Sequence, residues 1–353
     1  METTIESLMR YTKANGASDL HITVGIKPKC RINGTLEAME EFDKITPEVS
    51  EELVRSMLNP TREEELMEKG EVDFAFAIPG IGRFRVNAFK QRGSYAAVLR
   101  TVSEEIPSAK SLGIPLSVVE LTKKKRGLVL VTGPTGSGKS TTLASLIEII
   151  NREQSTHIIT LEDPIEYLHA HQKAIVNQRE IGIDTKSYAN ALRAALREDP
   201  DVILVGEMRD LDTISTAITA AETGHLVFST LHTIGAVPTI DRIIDVFPPH
   251  QQDQIRVQLA SVLECVISQQ LMKTADGKGR VAAFEVMHST PAIQNLIREA
   301  KSHQIPSIIQ TSKKLGMVLM DDFLMDLYIK HKIDGDTAIE YAQDSEAMAA
   351  KMF

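Results

Sequence analysis

Residues 133–141 read Gly-Pro-Thr-Gly-Ser-Gly-Lys-Ser-Thr and follow the apolar run Leu128-Val129-Leu130-Val131. No other stretch restricts the fold as much. The spacing G-x-x-x-x-G-K-[ST] between a strand and a helix makes a loop that wraps phosphate. Gly133, Gly136 and Gly138 let backbone N–H groups turn inward, with Pro134, Thr135 and Ser137 as the residues between them. The N-terminus of the next helix adds partial positive charge. Lys139 is expected to reach the β- and γ-phosphates, Ser140 to hold Mg²⁺ through its hydroxyl, and Thr141 to complete the loop. ATP and Mg²⁺ are therefore the expected ligands. A chance glycine-rich turn would lack the strand before it and the helix after it.

The pattern around this loop alternates. Strands are expected at 127–132, 157–161, 201–205 and 226–230, with helices at 139–151, 187–198 and 210–222. The fully apolar Val202-Ile203-Leu204-Val205 suits a parallel sheet covered on both faces. Beyond about residue 236 the expectation is mostly helical.

Residues 1–101 read differently, as a small α+β unit. A helix with Ile5, Leu8 and Met9 on one face precedes a strand-like Asp19–Val24. Asn33-Gly34 is a two-residue hairpin signal. Thr46-Pro47-Glu48 offers an N-cap, a proline for the first helical turn and an acid near the helix dipole. Strands follow at 72–78, 83–90 and 95–101, with Pro79-Gly80 and Arg92-Gly93-Ser94 as turns. Residues 102–114, containing Pro107 and Gly113, read as a linker, and 115–353 as the second domain. Two domains also suit a length of 353 residues.

Composition excludes several classes. The net charge is −9, and the one short basic run, Lys123 to Arg126, precedes a strand; a nucleic-acid partner is not expected. The two cysteines, Cys30 and Cys265, make neither a disulfide framework nor a metal pattern, as in a reducing cytosol. No apolar run approaches the ~20 residues of a membrane helix, so a membrane role must come through a partner.

Three further segments carry acid or histidine at strand ends. Glu162-Asp163-Pro164-Ile165-Glu166 follows Ile158–Leu161, and Glu207 follows Val202–Val205 after Gly206, where many P-loop enzymes place a metal-binding Asp. In a doubly wound sheet these ends lie beside the phosphate loop, where a carboxylate can orient or deprotonate water. Glu162 and Glu207 are thus candidate catalytic residues with Lys139, and Glu207 with Ser140 is a candidate for Mg²⁺, directly or through water. His225 opens the strand 226–230 and His232 leaves it, so by this geometry His232 alone stands at the catalytic edge.

In order and spacing, these four segments resemble the Walker A, Asp-box, Walker B and His-box motifs of the secretion ATPase superfamily, the hexameric motors of type II secretion and type IV pili. Gly16–His21 and Gly82–Asn87 also look like that family's N-terminal domain. The resemblance implies a PAS-like α+β domain followed by a RecA-like ATPase domain with a helical C-terminal extension. It implies a homohexamer at the cytoplasmic face of the inner membrane, working with a membrane platform protein and, where present, with other pilus ATPases. It also implies that Arg83, Arg85 and Arg100 match arginines that complete a nucleotide site. Two features point to pilus retraction: the stretch Ser268–Gly277 lacks the cysteines of assembly motors, and Ala292–Glu299 looks like the octet AIRNLIRE of retraction motors, with Gln294 in place of arginine. An assembly or type II secretion motor, an accessory motor and a nucleic-acid translocase are the alternatives.

Overall fold

The computed structural model describes residues 3–32, 34–102 and 105–352. They form two units, divided between Glu105 and Ile106. Asn33 of the expected hairpin, and Ser103 and Glu104 of the expected linker, lie outside the described residues.

The first unit is one antiparallel sheet with three helices. Its strands are β1 (Asp19–Ile22), β2 (Lys29–Ile32), β3 (Thr35–Ala38), β4 (Glu71–Ile78), β5 (Gly82–Gln91) and β6 (Ser94–Thr101), ordered β3-β2-β1-β6-β5-β4. β5 and β6 meet in a two-residue turn in which Arg92 and Gly93 both have positive φ, 49° and 77°. That is the backbone whose twist matches a hairpin. Thr46 caps the helix Pro47–Arg55 by accepting from the Val49 amide. A third helix, Pro60–Lys69, has no counterpart in the pattern reading, although its signals are present: Asn59 caps it, Pro60 opens it and left-handed Gly70 ends it. Leu8, Met9, Leu20, Phe42, Leu66, Phe84 and Val86 lie together in its core.

The second unit is built on a seven-stranded sheet. Its strands are β7 (Gly127–Thr132), β8 (His157–Glu162), β9 (Ile175–Glu180), β10 (Val202–Val205), β11 (Leu226–Leu231), β12 (Leu263–Lys273) and β13 (Arg280–His288), in the order β13-β12-β7-β11-β10-β8-β9. All neighbours are parallel except the β12–β13 hairpin. Alternation along β7 shows both faces buried. Leu128 and Leu130 join one core with the helices Leu211–Glu222 and Ala236–Asp245, while Val129 and Val131 join the other with the helix Lys139–Glu153. Of the stretch read as a linker, Ala109 and Ile114 are buried in this second core.

The mostly helical expectation beyond 236 needs correction, because β12 and β13 lie there. The helix Pro249–Val262 passes straight into β12 at Leu263 with no glycine or proline between them. The usual punctuation of a helix end is missing. Helices do fill the remainder, from Pro291–Arg298 to Ser345–Met352.

Candidate active site

The P-loop leaves the carboxyl end of β7. Gly133, Gly136 and Gly138 have φ of 142°, 81° and 88°, a region closed to most side chains. Gly133 also has no room for a Cβ, and at Gly138 one would crowd a neighbouring side chain. At Gly133 it would stand 2.1 Å from the Gln269 carbonyl oxygen, and at Gly138 it would stand 2.9 Å from the Gln269 side-chain amide. Lys139 opens the helix that follows, and its ammonium donates to the carbonyls of Gly133 (2.8 Å) and Pro134 (3.0 Å). Burial lowers the Lys139 pKa, against the negative fields of Glu207 and Glu166, which raise it. Ser137 Oγ is buried without a protein hydrogen-bond partner, and Ser140 is half-buried. A loop of positive-φ glycines, a buried ammonium and an orphan hydroxyl fit a polyphosphate. The Ser140 hydroxyl at the helix start has the chemistry to hold the Mg²⁺ that accompanies it.

β11 lies next to β7 and β10 next to β11, all parallel, so their carboxyl ends share the loop's edge. Glu207 follows β10. Its Oε1 is 2.6 Å from Arg209 Nε and 3.2 Å from His232 Nε2, the histidine that follows β11. Burial acts to raise the Glu207 pKa, but Arg209 and His232 outweigh it and the net shift is downward. Glu207 is therefore an anion at neutral pH. Gly206 stands in a tight place beside it: a Cβ there would be 2.8 Å from the Tyr188 hydroxyl and 3.1 Å from the Leu161 carbonyl oxygen. The Asp usual at this point would need the Tyr188 hydroxyl to move aside. The Gly206 backbone is tied on both sides, its N–H to Leu161 O and its carbonyl to Thr230 Oγ1.

Glu162 ends β8, one strand beyond β10, and faces differently. Its Oε1 accepts from Thr160 Oγ1 (2.6 Å) and Gln178 Nε2 (3.1 Å), and burial raises its pKa despite those bonds. The carboxylates whose fields reach Lys139 are Glu207 and Glu166. Pattern reading did not single out Glu166, Arg209 or Tyr167, whose hydroxyl lies 2.9 Å from Thr141 Oγ1. For Arg209 a signal existed, a cation two residues beyond Glu207; for Tyr167 there was none. His225 lies at the opposite strand end, its Nδ1 2.9 Å from Ala220 O.

The three arginines belong to the first unit. Arg83 and Arg85 lie on β5, with Phe84 and Val86 buried on the other face. Arg85 is paired in register with Arg100 on β6. Arg100 is largely exposed, and its Nε donates to Asp19 Oδ1 at 2.8 Å.

A parallel sheet with a P-loop on β7 and catalytic-type carboxylate and imidazole groups at neighbouring strand ends defines a RecA-like ATPase, here carrying an N-terminal α+β domain. Residues 1–304 match the family model described as type II/IV secretion system protein. The chain belongs to that family. It is 47% identical over 342 residues to the type IV pilus retractation ATPase PilT of Pseudomonas aeruginosa, covering 97% of this chain and 99% of that one. It is also 47% identical over 345 residues to a twitching motility protein of Neisseria gonorrhoeae, covering 98% and 92%. Among solved structures, the pilus retraction motor PilT with bound ADP superposes with a TM-score of 0.93 at 50% identity, covering 99% of this chain and 100% of that one.

Proposed function

We infer that this chain is the ATP-hydrolysing motor subunit that retracts type IV pili. The observation that carries the reading is the meeting of Glu207 and His232 on the strand edge that bears the P-loop, in a chain similar throughout its length to a pilus retraction ATPase. The loop amides, Lys139 and Ser140 hold the nucleotide phosphates. Mg²⁺, which the Ser140 hydroxyl would help hold, would supply neutralising charge to the phosphates. Glu207, kept anionic by Arg209 and His232, orients the attacking water. That role suits a weakly basic carboxylate, since phosphoryl transfer relies more on positioning than on early proton removal. His232 is placed to bond Glu207 or a phosphate oxygen. Glu162 supports the Asp-box turn through Thr160 and Gln178.

The working form is a homohexamer in which Arg83, Arg85 or Arg100 of one copy reaches the phosphates of the next. Guanidinium geometry matches a spreading phosphate charge. Residues 1–101 act as the PAS-like domain and 115–353 as the motor domain. Among the described residues no helix is long and apolar enough to cross a membrane. Attachment at the cytoplasmic face of the inner membrane runs through a platform protein, as the likeness to pilus motors suggests. Deleting the gene should leave cells with surplus pili that do not retract. Normal pilus number and normal retraction in the deletion strain would overturn the reading.

A further inference from the structure

We propose that Gln269 is the positioning residue that holds the phosphate loop in its binding shape, a proposal that rests on the ATPase reading above. Gln269 sits on β12, the neighbour of β7 on the side away from β11, and is 3% exposed. Its Nε2 donates to the Ser137 carbonyl at 2.7 Å, and its Oε1 accepts from Thr142 Oγ1 at 2.7 Å. One amide thus joins the tip of the loop to the first turn of the helix behind it. Holding the Ser137 carbonyl fixes the peptide that leads into Gly138 and so the path of the loop around its ligand.

The chemistry at this point singles out glutamine. The site requires a donor toward a carbonyl and an acceptor for a hydroxyl on the same group. A carboxylate has no donor, lysine and arginine have no acceptor, and asparagine is one methylene short. Gln269 also borders two of the loop glycines: a Cβ at Gly133 would overlap its carbonyl oxygen, and one at Gly138 would push its amide nitrogen aside.

The strand itself is held by further bonds. On its other face Ser268 Oγ accepts from the Gly235 amide at 2.8 Å, and Gln270 Nε2 donates to Tyr341 O at 3.1 Å. Opposite Ser268 in register, buried Glu285 accepts from the Ala236 amide at 2.7 Å. Gln269 is therefore presented to the loop from a strand pinned on both sides.

The test measures the affinity of the full-length protein for Mg·ADP by titration calorimetry, alongside thermal melting without nucleotide. Wild type is measured first, and failure of wild type to bind would sink the ATPase reading rather than the role of Gln269. Gln269→Leu should weaken binding roughly tenfold or more, because the Ser137 carbonyl is left unpaired and free to turn. Gln269→Glu keeps the acceptor for Thr142 but loses the donor, and should bind as poorly. Lys273→Ala, at the exposed end of the same strand, should bind within about twofold of wild type. A lowered melting temperature with unchanged Mg·ADP affinity in Gln269→Leu would make the residue a packing element only and overturn the proposal. If that variant does not fold, Thr142→Val carries the test by removing one of the two anchoring bonds. It should weaken binding about threefold, within the worth of one such bond, and unchanged affinity would overturn the proposal.

Discussion

Replacing Glu207 with Gln isolates the anion at the catalytic edge. The carboxylate has two charged or polar neighbours, Arg209 Nε at 2.6 Å and His232 Nε2 at 3.2 Å, on the same oxygen. Gln keeps the size and an oxygen that either neighbour can bond, so the fold loses little. The Arg209 side chain is 74% exposed, which leaves its ion pair screened and worth roughly 0–1 kcal/mol. The melting temperature should therefore move by a few degrees at most. Turnover is another matter, since a group that orients or deprotonates water typically contributes 10²–10⁴-fold, or about 3–5 kcal/mol of barrier. Because Lys139, Ser140 and the loop glycines are untouched, nucleotide affinity should stay near wild type. The assay is phosphate release at saturating Mg·ATP, paired with a binding titration. Hydrolysis at the wild-type rate would refute the assignment of Glu207.

Arg209→Ala should move the acid limb of the rate profile to higher pH. Arg209 helps hold the Glu207 pKa down, so without it the carboxylate takes up its proton earlier as pH falls; an unmoved limb would separate Arg209 from the reaction. A chain with Arg83, Arg85 and Arg100 all changed to Ala, mixed with a Lys139→Ala chain, should recover part of the ATPase activity that each lacks alone. No recovery in mixed assemblies would argue against arginines acting between copies. In the helix Pro291–Arg298, Ile293 and Ile297 are buried, whereas Arg298 and Glu299 are exposed and bond only to Asn295 and Lys301 among the described contacts. Arg298→Ala with Glu299→Ala should cost within about ±0.5 kcal/mol of stability and leave basal ATPase near normal, yet abolish retraction in cells. Retraction at the normal rate would show that this face carries no output, and joint loss of ATPase and retraction would place the helix in the catalytic cycle.

Much of the site was legible because its requirements are local. A phosphate loop needs positive-φ glycines at set intervals, then a lysine at a helix start, and Gly133, Gly136, Gly138 and Lys139 meet that need within seven residues. Buried parallel strands need short apolar runs, and β7, β8, β10 and β11 all fall within a residue or so of where periodicity puts them. Strand ends carrying Glu207 and His232 followed from the same counting. The helix Pro60–Lys69 was equally readable from its caps, and its absence from the pattern reading reflects a weak apolar stripe in which Leu66 alone is buried.

Tertiary structure decided what depends on residues far apart in the chain. β12 has a polar centre, Ser268-Gln269-Gln270, and no turn before it; only pairing with β7 on one side and β13 on the other makes it a buried strand. The direction of a carboxylate at a strand end is likewise set by its neighbours. Thr160 and Gln178 turn Glu162 toward themselves, while Arg209 and His232 hold Glu207. Gln269 is the clearest case, since it meets Ser137 across 132 residues of chain. Local periodicity and glycine spacing are properties of consecutive residues and survive in the unfolded chain. A hydrogen bond between strands brought together by folding has no such local trace, so only the folded sheet could reveal it.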